Sequence, residues 1–187
     1  MKEEESIIKG CKKGRESSFK ELYELYSGYC YTICVRYGLE NSSIKDCLQE
    51  VFSAAFMNIN KFDPKKAGFK TWLTSITINK ILMHKRKQVP YSYDIDGVVQ
   101  HEEATNNINS AESDLDFKRL MNTIQMMPEK YKMVFNLSII DGYQHKEISE
   151  MLGISVSASR VLLHRGREWA MNKIKEVYAD NLNSLIK

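Results

Sequence analysis

The chain has 187 residues, 43% of them hydrophobic, enough for one domain or two small ones with real cores, and wholesale disorder is excluded. Its formal charge of +3 conceals a segregation: residues 1–90 hold sixteen Lys and Arg against ten Asp and Glu, residues 91–116 hold seven acids and no Lys or Arg, and residues 117–187 hold eleven bases against seven acids. Two basic lobes flanking an acidic tether point to a polyanion held in two places, while a membrane span is excluded because no apolar run approaches ~20 residues.

In chain order, a short helix is expected over residues 3–13, with Ile7, Ile8 and Cys11 inward and an end near Gly14. The acidic N-terminus is followed by no apolar stretch of the signal-peptide kind, so the expected location is cytoplasmic. Ser17 or Ser18 is expected to cap a second helix carrying Phe19, Leu22, Tyr23, Tyr26, Tyr29, Ile33 and Tyr37 up to Gly38. Asn41, Ser42 and Ser43 then cap a third, whose apolar stripe is Ile44, Leu48, Val51, Phe52, Ala55 and Ile59. Within it Asp46, Gln49 and Glu50 stand at i, i+3 and i+4 on one face. Such carboxylates could form an acid/base pair, or serve only as dipole partners near a helix start, and no nucleophile motif accompanies them. Cys11, Cys30, Cys34 and Cys47 form no CxxC pair and read as buried free thiols, not metal ligands.

After Phe62, Asp63 and Pro64 a basic loop leads into a fourth helix, which begins near Gly68. It runs through Phe69, Trp72, Leu73, Ile76 and Leu82 to His84, Lys85, Arg86 and Lys87. Residues 61–87 contain eight bases (Lys61, Lys65, Lys66, Lys70, Lys80, Lys85, Arg86 and Lys87) against the single acid Asp63, with Phe62, Phe69 and Trp72 among them. Bases can follow a phosphate backbone and aromatic faces can stack on unpaired bases. Phe69 and Leu73 fit a core better. Residues 88–112 lose the helical period and form a polar, acidic linker, expected to be mobile.

A second domain is expected from about Ser113, with one helix through Leu115, Leu120 and Ile124. Another opens at Pro128 and carries Tyr131, Val134, Phe135 and Leu137. Asp141 and Gly142 turn the chain into residues 144–168. There a helix with a stripe of Glu147, Ile148, Met151 and Leu152 meets Gly153, and Ser155 caps a second helix. Val156, Leu163, Gly166 and Ala170 form the inward stripe of that helix, leaving Ser157, Val161, His164, Arg165 and Glu168 outward with Arg160 and Arg167 on the flank. This is the arrangement of a helix-turn-helix, with an ordinary helical hairpin and a solvated charged face as the alternative.

The segments M-P-E-K-Y-K-M-V-F (127–135), D-G-Y-Q-H-K-E-I-S-E-M-L-G-I-S (141–155) and L-H-R-G-R (163–167) resemble the DNA-binding C-terminal domain of extracytoplasmic-function sigma factors. D-C-L-Q-E-V-F (46–52) and F-K-T-W-L-T-S-I-T-I-N (69–79) resemble the core-binding and −10-element regions of the same family. The resemblance implies an all-α chain of two small helical domains, 1–90 and 113–187, joined by the linker 91–112, the second domain a helix-turn-helix. It implies a sigma factor, itself no enzyme, that needs no cofactor or metal and directs core RNA polymerase to promoters. By resemblance, Asp46, Gln49 and Glu50 dock on the polymerase clamp coiled coil, and the C-terminal domain touches the flap. Lys66, Lys70, Trp72, Asn79, Lys80, Lys85, Arg86 and Lys87 meet the melted −10 strand. Ser157, Arg160, Val161, His164, Arg165 and Arg167 read the −35 element. An anti-sigma protein is the further partner by family habit. The chain departs from the family at Val161 and Leu162, where polar or basic residues are usual. The rival reading is a stand-alone helix-turn-helix regulator, which would be a dimer binding DNA by itself.

Overall fold

The computed structural model describes residues 2–88 and 115–185, and every regular element among them is helical. The linker expectation for 91–112 lies outside the described residues. The chain divides into two compact units, one of residues 1–35 and 39–90 and one of residues 36–38 and 91–187.

The first unit holds α1 (Lys2–Lys12), α2 (Glu16–Arg36), α3 (Asn41–Asn58), a short 3-10 turn (Ile59–Lys61) and α4 (Phe69–Gln88). Alternation of buried and exposed positions at helical spacing gives each of them one inward stripe. Leu22, Cys30, Ile33 and Cys34 of α2 meet Ile44, Cys47, Val51 and Ala55 of α3 and Leu73, Ile78 and Ile81 of α4, all 3% exposed or less. Each such aliphatic side chain contributes about 1.5–3 kcal/mol by leaving water, so this stripe, not helix propensity, fixes the bundle. An aromatic seam runs beside it: Phe19 on Phe56, Tyr23 on Phe52, Tyr26 on Phe69.

Two expected caps differ. Helix α2 starts at Glu16, ahead of both candidate serines, and Ser18 is buried in its first turn against Gly10 of α1. A Cβ on Gly10 would come 2.0 Å from the Ser18 hydroxyl oxygen, so the absence of a side chain lets α1 lie this close. Helix α3 is preceded by Glu40 in extended conformation with no side-chain cap bond, and Asn41 and Ser43 are already helical.

The second unit holds α5 (Leu115–Met126), α6 (Glu129–Phe135), a π-helical turn (Asn136–Ile140), α7 (His145–Leu152) and α8 (Val156–Leu185). Helices α5, α6 and α7 all pack on α8. Met127, Met133, Val134, Leu137, Ile148, Leu162 and Leu163 form the core, and Gly166 admits the Tyr131 Cβ to within 3.3 Å of where its own Cβ would stand. Pro128 immediately precedes α6, as expected of a residue with no amide hydrogen to lose.

Candidate nucleic-acid interface

The turn between α7 and α8 is built from local signals. Gly153 ends α7 at φ +69°, a conformation that costs an L side chain about 1–2 kcal/mol. Ser155 accepts the Ala158 amide at 3.0 Å and thereby caps α8. Across the turn the His145 Nδ1 and Ser159 Oγ are 2.9 Å apart, and Ser159 is fully buried. That polar bolt was not legible beforehand, because nothing in the periodicity marks a buried serine. Glu147, expected on the apolar stripe of α7, is exposed instead, and its carboxylate accepts the Gln144 amide at 2.8 Å. Ile148 is the residue of that stripe that is fully buried.

Helix α8 then presents the expected face. Ser157, Arg160, Val161, His164, Arg165, Arg167 and Glu168 are all exposed, while Leu162, Leu163 and Gly166 are buried. Of the two apolar departures, Leu162 is therefore core and only Val161, 40% exposed, belongs to the surface. Arg160, Val161, His164, Arg165 and Glu168 line a shallow depression of about 350 Å³. On this face Glu168 Oε2 lies 3.4 Å from His164 Nδ1, both side chains exposed.

In the first unit, Lys61, Lys65, Lys66 and Lys70 are exposed around the turn that leads into α4. Asp63, the acid among them, is spent on the backbone: its Oδ1 accepts the Lys65 amide at 3.0 Å and its carbonyl accepts the Lys66 amide at 3.1 Å. Phe69 and Leu73 are buried, as the core reading required; Phe62 is buried too, and Trp72 is half-buried beside Phe62 and Phe69, the three ring centroids 5.2–5.5 Å apart. The Lys70 ammonium stands 4.2 Å from the Tyr29 ring centroid, so an aromatic of α2 orients a base of α4. Further along α4, Asn79 and Arg86 are exposed, whereas Lys85 is buried; the Lys87 side chain lies outside the described residues.

The α3 face is less uniform than its spacing suggested. Asp46 and Gln49 are exposed, but the Glu50 carboxylate is shared within the unit, with Lys80 Nζ 3.3 Å from Oε2 and His84 Nε2 3.3 Å from Oε1. The Lys80 contact is a hydrogen bond, while the His84 approach has ion-pair distance without hydrogen-bond geometry. Cys11, Cys30, Cys34 and Cys47 are free and buried. Burial raises Cys30 to about 11, and a hydrogen bond between the Cys34 and Cys47 thiols, with burial, pushes Cys34 up while it lowers Cys47, so Cys30 and Cys34 are packing atoms at neutral pH.

The family described as Sigma-70 region 2 matches residues 22–90, and that described as Sigma-70, region 4 matches residues 117–169, leaving α1 ahead of both. The ECF RNA polymerase sigma factor SigW of Bacillus subtilis (strain 168) is 30% identical over 180 residues, covering 91% of this chain and 96% of its own. SigM, an ECF RNA polymerase sigma factor of the same organism, is 24% identical over 167 residues, covering 87% of this chain and 96% of its own. In fold, the chain is similar to the sigma factor RpoE solved in complex with the anti-sigma factor NepR from Bartonella quintana, with a TM-score of 0.53 at 18% identity, over 84% of this chain and 96% of that one.

Proposed function

The chain belongs to the ECF RNA polymerase sigma factors, and from that premise we propose how its residues divide the work. As a sigma factor it binds core RNA polymerase and directs it to promoters for transcription initiation. Asp46 and Gln49 carry the clamp contact, with Glu50 beside them on the same helix. The exposed bases Lys66, Lys70 and Arg86, together with Asn79 and the half-buried Trp72, engage the melted −10 strand; Lys80 holds Glu50 and acts at its edge, and Lys87 extends the basic end. Lys85, being buried, is left out of this set. Residues 1–90 form the −10 and core-binding domain, and residues 113–187 form the −35 domain, which also meets the polymerase flap. The protein works in the cytoplasm with the polymerase, which supplies the bond-making chemistry, and an anti-sigma protein is its further partner.

The observation that carries this reading is the α8 face. Ser157, Arg160, Val161, His164, Arg165 and Arg167 are exposed together on a helix whose start is fixed by the Gly153 turn and the Ser155 cap. A face of that composition can hold phosphates and reach base edges in the major groove. The test is reconstitution with core polymerase followed by genome-wide sequencing of transcript starts. A shared promoter pattern upstream of the starts is expected. Random starts, or tight sequence-specific binding by a dimer of the chain without polymerase, would transfer the reading to a stand-alone regulator.

A further inference from the structure

Helix α1 lies ahead of the matched Sigma-70 stretches, yet it is fixed with unusual care for a terminal helix. Cys11 is 2% exposed and Ile8 is buried, Gly10 lies directly against Ser18, and Glu4 accepts a hydrogen bond from the Tyr26 hydroxyl. The last residue of α1, Lys12, reaches across fifty positions. Its ammonium donates to the Phe62 carbonyl at 2.8 Å and stands 5.6 Å from the centroid of the Phe62 ring.

Phe62 stands at the entry of the basic loop. Its amide closes the 3-10 turn on the Ile59 carbonyl, and its backbone then turns extended and releases the chain into residues 63–68. Its ring packs edge-on against Phe69, the first residue of α4, and at a tilt against Trp72. The loop is thus pinned at its entry from α1 and at its exit by the same aromatic cluster. Between those points, the Asp63 turn shapes the backbone at exposed Lys65 and Lys66.

We infer that Lys12 is a positioning residue for −10 recognition, tying the Phe62 carbonyl and ring to α1 so that the basic loop and the Trp72 edge keep one geometry toward the unpaired strand. The inference rests on the proposed reading of this loop as the −10 interface. A freely swinging loop would have to be ordered on binding, and that ordering weakens the complex. A hydrogen bond from a charged donor supports an effect of about tenfold.

The experiment uses the full chain assembled with core polymerase and a fluorescent single-stranded oligonucleotide carrying the non-template −10 sequence. Affinity is measured against salt for the unaltered protein, Lys12→Met, Lys12→Arg and the double variant Lys66→Ala, Lys70→Ala. Lys12→Met keeps the aliphatic stem and removes donor and charge. The expected result is about tenfold weaker oligonucleotide binding for Lys12→Met, with the slope of log affinity against log salt and the affinity for core polymerase unchanged, and recovery in Lys12→Arg. A slope reduced by about one charge would mean that Lys12 touches a phosphate itself, and would overturn the positioning role. A parallel loss of core affinity and thermal stability would make Lys12 merely structural. Should Lys12→Met bind as well as the unaltered protein while the double variant fails, the loop reading stands and the inference falls. If neither variant loses affinity, the loop reading fails and takes the inference with it.

Discussion

At the scale of single residues, the decisive facts are which side chains are exposed and which are spoken for. Val161 is the apolar side chain on the exposed face of α8 proposed to meet DNA, and the apolar feature of the major groove is the thymine methyl. Val161→Ser should relax preference at one position of the −35 element by about 1 kcal/mol, the scale of one buried methyl, and leave core binding intact. Replacing thymine by uracil there should reproduce the loss with the unaltered protein. Equal transcription from uracil and thymine templates at every −35 position would remove the contact. Leu162 was legible only as a second departure; its burial became visible once α8 had neighbours, because a helical wheel cannot rank adjacent apolar residues. The thiols give a second check. All four are buried, so a thiol reagent at pH 8 should label the folded chain slowly and the denatured chain at four sites. Burial raises Cys30 from 9.0 to about 11, so the folded state holds its proton longer than the unfolded one. Its stabilising contribution is therefore complete below pH 9 and is lost as pH rises toward 11. In Cys30→Ala, denaturant titrations across that window should show a flatter decline.

At the scale of elements, the helices and their faces were legible because burial follows the 3.6-residue period, while the ends were less so. Ser155 is the cap that the sequence announced, but Ser18 was drawn into the contact with Gly10, and α3 starts without a side-chain cap. The Ser18 outcome depends on a partner eight residues away, which local pattern cannot supply. The α3 face shows the same limit. The spacing of Asp46, Gln49 and Glu50 puts them together, yet Glu50 is held by Lys80 and His84, thirty and thirty-four positions on. The two acids should therefore respond differently to charge reversal. Asp46→Lys, at an exposed site, should weaken core binding and shift stability by no more than about 0.5 kcal/mol. Glu50→Lys sets a new cation against Lys80, so it should also lower the melting temperature, by a pair energy on the order of 1 kcal/mol for partly exposed groups. Melting curves and co-elution with core polymerase, run on both variants, test this. Equal melting temperatures would mean that the Glu50 pair does not contribute to folding.

At the scale of the whole molecule, the charge segregation was the most informative sequence feature, and the structure gives it a reason. The basic residues of 61–70 and the arginines of α8 belong to units with separate cores, and each candidate surface is complete within its own unit. Neither needs the other to hold its shape, so changes in the two surfaces should act independently on one promoter. The pair Lys66→Ala, Lys70→Ala removes bases from the first surface, and the pair Arg165→Ala, Arg167→Ala removes them from the second. With holoenzyme on a single promoter, each pair should weaken binding and each should shallow the salt dependence by up to about two charges. The four-residue variant should then equal the sum of the two free-energy losses to within about 0.5 kcal/mol, as distant sites do. A different outcome has a definite physical meaning. A combined loss much smaller than the sum would show that engagement of one surface already depends on the other, as when −35 contact must precede strand capture. Opening measured on a premelted template separates the cases, because capture there no longer waits on melting. If the arginine pair suppresses binding of the premelted template much less than that of the duplex, the −35 contact acts through strand capture, and the independence of the two surfaces is wrong; equal suppression on both templates is what independence predicts.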